Sequence, residues 1–200
     1  MDLFAMPTPA FSGAKLPLRP MHVWAIRVRL QLEGRDRDLA LFDIALDSKL
    51  RGCDVVALRL ADLMAGGAIR RRATVVQQKT GHPVHFEVTD QTRRSISRWL
   101  ALRPAERGGW LFPSRTRLGC HLSTRQYFRL LKKWVAQIGL PPAAYGTHSM
   151  RRTKVSLLYR KTGNLRACQL LLGHTKLEST VRYLGVELDD ALELSEGLEI

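Results

Sequence analysis

Six residues of this chain have side chains that together could break a phosphodiester bond. In chain order they are Arg51, Lys79, His148, Arg151, His174 and Tyr183. Arginine and histidine donors can stabilise the charge of a phosphoryl transition state. A lysine can protonate a leaving oxygen, and a tyrosine can act as the covalent nucleophile. The set therefore indicates phosphoryl transfer, and this chemistry would need neither a metal nor another cofactor.

The spacing of four of these residues separates them from ordinary surface positions. His148 and Arg151 form an H-x-x-R pattern, which places both side chains on one face of a helix. Tyr183 follows His174 by nine residues, in the segment LLGHTKLESTVRYL. An isolated tyrosine is usually a core or interface residue. That role is expected for Tyr127, Tyr145 and Tyr159.

The order and spacing of the six residues resemble the tyrosine recombinases, also called phage integrases. The pattern of that family is R…K…HxxR…H/W…Y, and the resemblance covers about residues 20–186. The segments THSMRRT and LLGHTKLESTVRYL carry most of it. Near Arg51 the sequence departs from the family's usual TGLR, because Ser48-Lys49 replaces the usual Thr-Gly. Asp54 stands where the family usually has a glutamate.

The resemblance implies a role for each of these side chains. Tyr183 would attack a DNA phosphodiester, forming a 3′-phosphotyrosine and leaving a free 5′-hydroxyl. Arg51 and Arg151 would clamp the phosphate, and His174 would donate a hydrogen bond to a non-bridging oxygen. Lys79, on a β-turn, would protonate the leaving 5′-oxygen. His148 would either accept the proton of the tyrosine or donate a hydrogen bond to the phosphate.

The resemblance also implies a function, which is site-specific DNA recombination by integration, excision or inversion. The partner would be double-stranded DNA, bound by a dimer or tetramer of the chain. Accessory DNA-bending proteins would be possible further partners. Two alternatives stay open. One is a catalytically silent DNA-binding regulator of the same fold, and the other is a type IB topoisomerase-like nicking-closing enzyme.

The charge of the chain also favours nucleic acid as a partner. The formal net charge is +14, from 32 basic and 18 acidic residues. Residues 187–200 carry six acids and no Lys or Arg, so the first 186 residues carry +20. Such a charge suits a DNA backbone, although a basic protein with solvated faces would share it. Five basic clusters are expected to contact the backbone: Arg70-Arg71-Arg72, Arg93-Arg94, Lys132-Lys133, Arg151-Arg152 and Arg160-Lys161.

The cysteines and the N-terminal segment bear on the cellular compartment. Three scattered cysteines argue against a disulfide framework and against a zinc module. Cys53 and Cys168 are expected to be buried as small apolar residues. The first twenty residues lack the charged and apolar regions of a signal peptide, and no apolar run reaches membrane-spanning length. We therefore expect a cytoplasmic, nucleoid-associated protein with no membrane segment and no metal site.

The pattern of apolar residues predicts a mainly α fold with a small antiparallel β-sheet, like the catalytic domain of the tyrosine recombinases. Helices are predicted near residues 20–33, 36–50, 52–60, 91–102, 123–138, 147–161, 164–172 and 176–184. The sheet is predicted within residues 66–90, with Lys79 at a hairpin tip. Gly163 and Gly173 are expected to end helices.

Three regions are predicted: an N-terminal arm (1–19), a catalytic DNA-breaking-rejoining domain (20–186) and an acidic C-terminal tail helix (187–200). Because only the arm precedes the first helix, we expect the separate N-terminal domain common in the family to be absent. The tail has apolar residues at roughly helical spacing. It would dock on a neighbouring subunit, pack on its own domain, or fray.

Overall fold

The computed structural model describes residues 15–104, 108–184 and 196, and its architecture is mainly helical. The helices are α1 (Pro20–Leu32), α2 (Asp36–Ser48), α3 (Gly52–Val56), α4 (Leu60–Leu63), α5 (Asp90–Leu102), α6 (Thr124–Gln137), α7 (Thr147–Thr162), α8 (Leu165–Leu172) and α9 (Leu177–Leu184). A short 3₁₀ helix, Pro142–Ala144, precedes α7. No helix among these residues is long and apolar enough to cross a membrane.

Among the described residues, four short strands form two antiparallel hairpins. They are β1 (Met64–Ala65), β2 (Ala68–Ile69), β3 (Arg72–Val76) and β4 (Pro83–Glu87). β1 pairs with β2, and β3 pairs with β4 in a register that places Arg72 opposite Glu87 and Val76 opposite Pro83. The predicted fold class, mainly α with small antiparallel β structure, is confirmed. The sequence predicted one sheet, whereas Gly66 and Gly67 turn the chain into a separate first hairpin.

The helix predicted near residues 52–60 is interrupted. α3 ends at Val56, and the chain then runs beside the segment around Trp110. Leu60 N donates to Gly109 O, and Leu111 N donates to Leu58 O, both at 2.8 Å. This pairing joins segments far apart in the chain, so local apolar spacing could not reveal it.

In the part of the chain that the structure describes, two separate apolar clusters hold the helices. The larger cluster draws on α1 to α7 and includes Phe42 and Trp134, whose rings meet edge to face at 5.7 Å. The smaller cluster consists of Val155, Cys168 and Leu172, with Leu158, Tyr159, Tyr183 and Leu184 packed against it. It joins α9 to α7 and α8. Tyr127 and Tyr145 are core residues as predicted, and Cys168 is buried, but Cys53 is only half buried.

A partly buried charge cluster, made of Asp47, Lys49, Glu87 and Lys154, joins α2, β4 and α7. Lys49 is only 1% exposed and adopts a left-handed conformation with φ of 54°. This turn ends α2 at Ser48, two residues earlier than predicted. The Lys49 ammonium lies 2.9 Å from Glu87, and the Lys154 ammonium lies 2.6 Å from Asp47 and 2.5 Å from Glu87. Asp47 also accepts hydrogen bonds from Thr89 and Thr92.

The segment that leads into α1 packs along α7. Leu16 N donates to Ala144 O at 3.0 Å, and Leu18 N donates to the Thr153 hydroxyl at 2.9 Å. Leu18 is buried in the larger apolar cluster. Of the predicted arm, residues 1–14 lie outside the described part of the chain. The predicted tail helix, 187–200, also lies outside it except for Glu196.

Candidate active site

Two arginines from distant parts of the chain converge near the end of α8. Arg51 lies in the loop before α3 and donates to Gln77 Oε1. Arg151 lies on α7 and donates to Leu172 O at 2.6 Å. The Gln77 amide Nε2 lies 3.5 Å from that same carbonyl. Gln77 therefore links Arg51 to the end of α8, whose Leu172 carbonyl also binds Arg151.

Gly52 allows the Arg51 loop to approach the first turn of α7. A Cβ atom at this position would lie 3.1 Å from Thr147 Cβ, which is closer than nearly all such contacts. Thr147 is the first residue of α7, and His148 is the second. The small residue at position 52 therefore brings Arg51 next to His148 and Arg151.

His148 lies at the surface end of this group. Its side chain is exposed, yet partial desolvation of the imidazole and the charges of the nearby arginines lower its pKa below 6.5. Lys79 adds to this effect from the exposed turn between β3 and β4. His148 is therefore neutral near pH 7, and its free nitrogen lone pair can accept a proton.

His174 follows α8 and lies edge-on to Tyr183. The two ring centroids are 5.5 Å apart, at an interplanar angle of 84°. Burial, together with the charges of Arg151 and Arg51, lowers the pKa of His174 to about 4. Its Nδ1 lies 3.1 Å from the Thr180 hydroxyl. When that hydroxyl donates to Nδ1, the imidazole proton is on Nε2, which can then donate to an oxygen.

Gly173 fixes the turn that carries His174. Its φ of +63° is left-handed, and a Cβ atom would lie 2.7 Å from Val84 Cγ2. Both facts favour glycine. The turn after α8 therefore lies directly against β4, beside the hairpin that bears Lys79. Gly163 and Gly173 end α7 and α8, which confirms the sequence prediction.

Tyr183 lies close to two arginines. The Cζ atoms of Arg152 and Arg151 are 4.9 Å and 5.8 Å from the centroid of its ring. The Tyr183 hydroxyl is buried, and it has no hydrogen-bond partner among the described residues. Burial raises the pKa of Tyr183 to about 12, even though the nearby arginines act to lower it. The phenol is therefore protonated near pH 7.

Arg151 also keeps one donor unused. It is only 2% exposed, and its Nε lacks a partner within the described residues. None of the ion pairs between described residues involves it. A buried guanidinium is normally matched by an anion. The Arg151 Nε and the Tyr183 hydroxyl can therefore both bind an anionic group with oxygen acceptors, such as a phosphodiester.

Two residues of this site were not identified from the sequence. Gln77 is fully buried, and it follows Ala73 and Val75 on the inward face of the hairpin. The alternation of inward and outward residues along β3 was therefore the sequence signal that Gln77 points inward. Arg152 was predicted to contact DNA as part of a basic pair. In the structure, however, the Nε, Nη1 and Nη2 of Arg152 all donate to backbone carbonyls of this chain, those of Tyr183 and Lys15.

A metal centre would need a group of ligands. Among residues 15–104, 108–184 and 196, no group of three or more His, Cys, Asp or Glu side chains is placed to hold a metal ion.

The fold and the sequence together identify the class of protein. A model of the Phage integrase family matches residues 31–188, and the chain belongs to that family. It is 29% identical over 153 residues to the tyrosine recombinase XerC of Erythrobacter litoralis, covering 76% of this chain and 47% of the relative. The chain spans about half the length of the XerC relatives it matches.

Solved structures share the fold. The XerA recombinase has a TM-score of 0.75 at 16% identity, covering 93% of this chain and 66% of the other. The integrase of transposon Tn1549, in complex with circular intermediate DNA, has a TM-score of 0.74 at 18% identity, covering 94% and 69%. These identities are low, so the two structures establish the architecture and not the activity.

Proposed function

We propose that this chain carries the catalytic part of a site-specific DNA recombinase, with Tyr183 as the nucleophile. Its substrate is double-stranded DNA, which it cuts and rejoins in integration, excision or inversion. Family membership and the +20 charge on the first 186 residues support this proposal. The protein acts on DNA in the cytoplasm, at the nucleoid, as a dimer or tetramer, and accessory DNA-bending proteins can assist it.

The proposed cleavage step is an in-line displacement at phosphorus. The Tyr183 oxygen forms a bond to phosphorus, and the bond from phosphorus to the 5′-oxygen breaks. The product is a 3′-phosphotyrosine and a free 5′-hydroxyl. Lys79 supplies the proton to the leaving 5′-oxygen, and the phenol proton leaves to His148. A 5′-hydroxyl from another strand reverses the reaction, so no nucleotide is consumed.

The charged groups of the site stabilise this step. Arg51 and Arg151 bind the non-bridging oxygens with planar, permanent cations. They also act to lower the pKa of Tyr183 against the effect of its burial. His174 is neutral because its pKa is about 4, so it acts as a hydrogen-bond donor rather than as a charge. His148, also neutral, either takes the phenol proton or donates to the phosphate.

One observation carries the proposal. The Tyr183 hydroxyl and the Arg151 Nε are both buried without a partner within the described residues. An unmade buried hydrogen bond costs about 1–3 kcal/mol. A phosphate oxygen bound between these two groups would satisfy both. The arginine then faces the developing charge while the phenol oxygen faces phosphorus.

Covalent trapping tests the proposal and needs no defined target site. The full chain is mixed with a pool of nicked random duplexes, and denaturing gels isolate DNA that stays attached to protein. Sequencing then gives the preferred site, on which rates are measured. Tyr183→Phe removes one oxygen and should abolish the adduct while DNA binding persists. Tyr159→Phe is the matched control and should still form it.

Arg151→Lys gives a second, graded test. A lysine keeps the charge but loses the planar donor set. We expect DNA binding to persist and adduct formation to slow by about 10² or more, in the range seen when one preorganised transition-state donor is removed. An adduct that survives in Tyr183→Phe would place the nucleophile elsewhere and remove the basis for the whole assignment.

The same assays separate the two alternatives. A catalytically silent regulator would shift DNA bands but form no adduct with any duplex. A type IB topoisomerase-like enzyme would form the adduct and relax a supercoiled plasmid that has a single site. A recombinase would produce rearranged junctions only from DNA that carries paired sites, such as the DNA flanking its own gene.

A further inference from the structure

Arg152 makes hydrogen bonds that have no role in the proposed reaction. Its guanidinium donates through Nε and Nη2 to the carbonyl of Tyr183, with the Nε contact at 2.8 Å. Its Nη1 donates to the carbonyl of Lys15 at 3.0 Å. One buried side chain on α7 therefore binds the backbone of the residue that bears the phenol and also the segment leading into α1.

The accepting carbonyl lies at the end of α9. The last four carbonyls of a helix have no partner within the helix, and they carry the negative end of its dipole. Within the described residues α9 runs from Leu177 to Leu184, and Tyr183 is in the last turn of this range. A cation with two parallel donors suits such a carbonyl. The Lys15 carbonyl, bound to the third nitrogen, fixes the orientation of the guanidinium plane.

The apolar attachment of α9 is limited. Apart from Tyr183 and Leu184, the cluster around it consists of residues from α7 and α8, of which Val155, Cys168 and Leu172 are fully buried. Leu177, at the start of α9, is an exposed apolar residue. The position of the helix along its axis therefore depends strongly on directional bonds, and Arg152 supplies bonds of this kind.

We propose that Arg152 is a positioning residue, which holds the last turn of α9 against α7 and so keeps the Tyr183 phenol in line with the phosphate. The inference rests on the proposed role of Tyr183 as nucleophile. Arg152 itself acts through the backbone of Tyr183 and not on the reacting atoms. In this scheme its neighbour Arg151 binds the phosphate, so two adjacent arginines have different tasks.

Hydrogen–deuterium exchange of the full chain tests the positioning without any DNA. In Arg152→Met, the amides of residues 177–184 should exchange faster than in the wild type, while those of residues 165–172 keep their rates. Arg27→Met is the control, because Arg27 also binds a buried group, Asp43 at 2.6 Å, but lies on α1. It should lower global stability without selectively exposing α9.

Single-turnover adduct formation tests the consequence for chemistry. On saturating duplex from the covalent selection, Arg152→Met should be at least about tenfold slower than the wild type, because a misplacement of about 1 Å can slow a reaction on the order of 10²-fold. The dissociation constant for DNA should stay within about twofold, since the Nε, Nη1 and Nη2 of Arg152 already donate to backbone carbonyls of the chain and are not phosphate contacts. Arg152→Lys, which keeps the charge but lacks the planar set of donors, should fall between the two and serves if Arg152→Met does not fold.

The outcomes separate this inference from the proposed function. Unchanged exchange in α9, or an unchanged adduct rate in folded Arg152→Met, would overturn the positioning role. Weaker DNA binding with an unchanged rate at saturation would make Arg152 a DNA contact and also overturn it. If the wild type forms no adduct, the proposed function fails, whereas the exchange data still decide whether Arg152 holds α9.

Discussion

Gly173→Ala should destabilise the protein through two separable effects. The left-handed φ of +63° costs a residue with a Cβ roughly 1–2 kcal/mol. The new Cβ would also lie 2.7 Å from Val84 Cγ2, and overpacking of this kind costs about 1–3 kcal/mol. We therefore expect the free energy of unfolding to fall by about 3 kcal/mol.

A double-mutant cycle separates the two effects. Val84 is buried, and Val84→Ala alone should cost about 2 kcal/mol through lost burial. In the Val84→Ala background the clash is absent, so Gly173→Ala should then cost only the roughly 1–2 kcal/mol of the strained backbone. The coupling free energy between positions 84 and 173 should therefore be about 1–3 kcal/mol. Its sign should make the double mutant more stable than the sum of the two single substitutions predicts.

Urea denaturation followed by circular dichroism measures all four proteins of the cycle. Equal slopes of unfolding free energy against urea would validate the comparison. Additivity within about 0.3 kcal/mol would refute the reasoning, because it would mean that residue 173 does not press against β4. The turn that carries His174 would then be positioned by something other than this contact.

The other predictions concern charge. Asp47→Asn should lower the free energy of unfolding by about 3 kcal/mol, measured by urea denaturation, because it removes one carboxylate of the cluster and leaves the two ammonium groups, Lys49 and Lys154, to share Glu87. Burial alone would raise the pKa of Asp47, but bonds from Lys154, Thr92 and Thr89 outweigh it and lower the pKa below 3.8. The ionised carboxylate of Asp47 therefore stabilises the fold fully above pH 3.8, and this contribution is lost as the pH falls below that value. The melting temperature of the wild type should fall more in acid than that of Asp47→Asn. Equal decreases would contradict this. DNA affinity should fall by about 10³ to 10⁵ between roughly 50 and 200 mM salt, as expected for six to ten phosphate contacts, and a flat titration would exclude backbone binding. The pKa values of both His148 and His174 are lowered from 6.5, so the adduct rate should hold from neutral pH to about 6.5 and decline only below it. A decline centred above pH 7 would show that these imidazoles are not the groups that titrate.

The helices were predictable where local pattern determines them. Apolar spacing located α1, α2 and α5 to α9, and Gly163 and Gly173 marked where two of them end. The division between α3 and α4 depends instead on hydrogen bonds to a distant segment. Such pairings are set by tertiary contact, and a window of adjacent residues contains no trace of them.

The candidate site was partly visible in the sequence for a similar reason. The H-x-x-R pattern and the spacing from His174 to Tyr183 each lie within a short stretch of the chain, so a sequence motif can describe them. The link from Arg51 through Gln77 to Leu172 joins three separate segments. The contacts of Arg152 could not be predicted in this way, because charge alone does not distinguish an arginine that binds backbone carbonyls from one that is solvated.

Lys49 has a consequence for how this position can vary among related chains. A left-handed residue other than glycine is strained by roughly 1–2 kcal/mol, and here the buried ammonium is matched by Glu87 at 2.9 Å. A chain with glycine at this position would carry neither the strain nor the buried charge. Positions 49 and 87 should therefore covary, with an acid at 87 retained more often where 49 is a lysine. Exchange of Glu87 alone would leave the buried Lys49 ammonium without its carboxylate, beside the loop of Arg51.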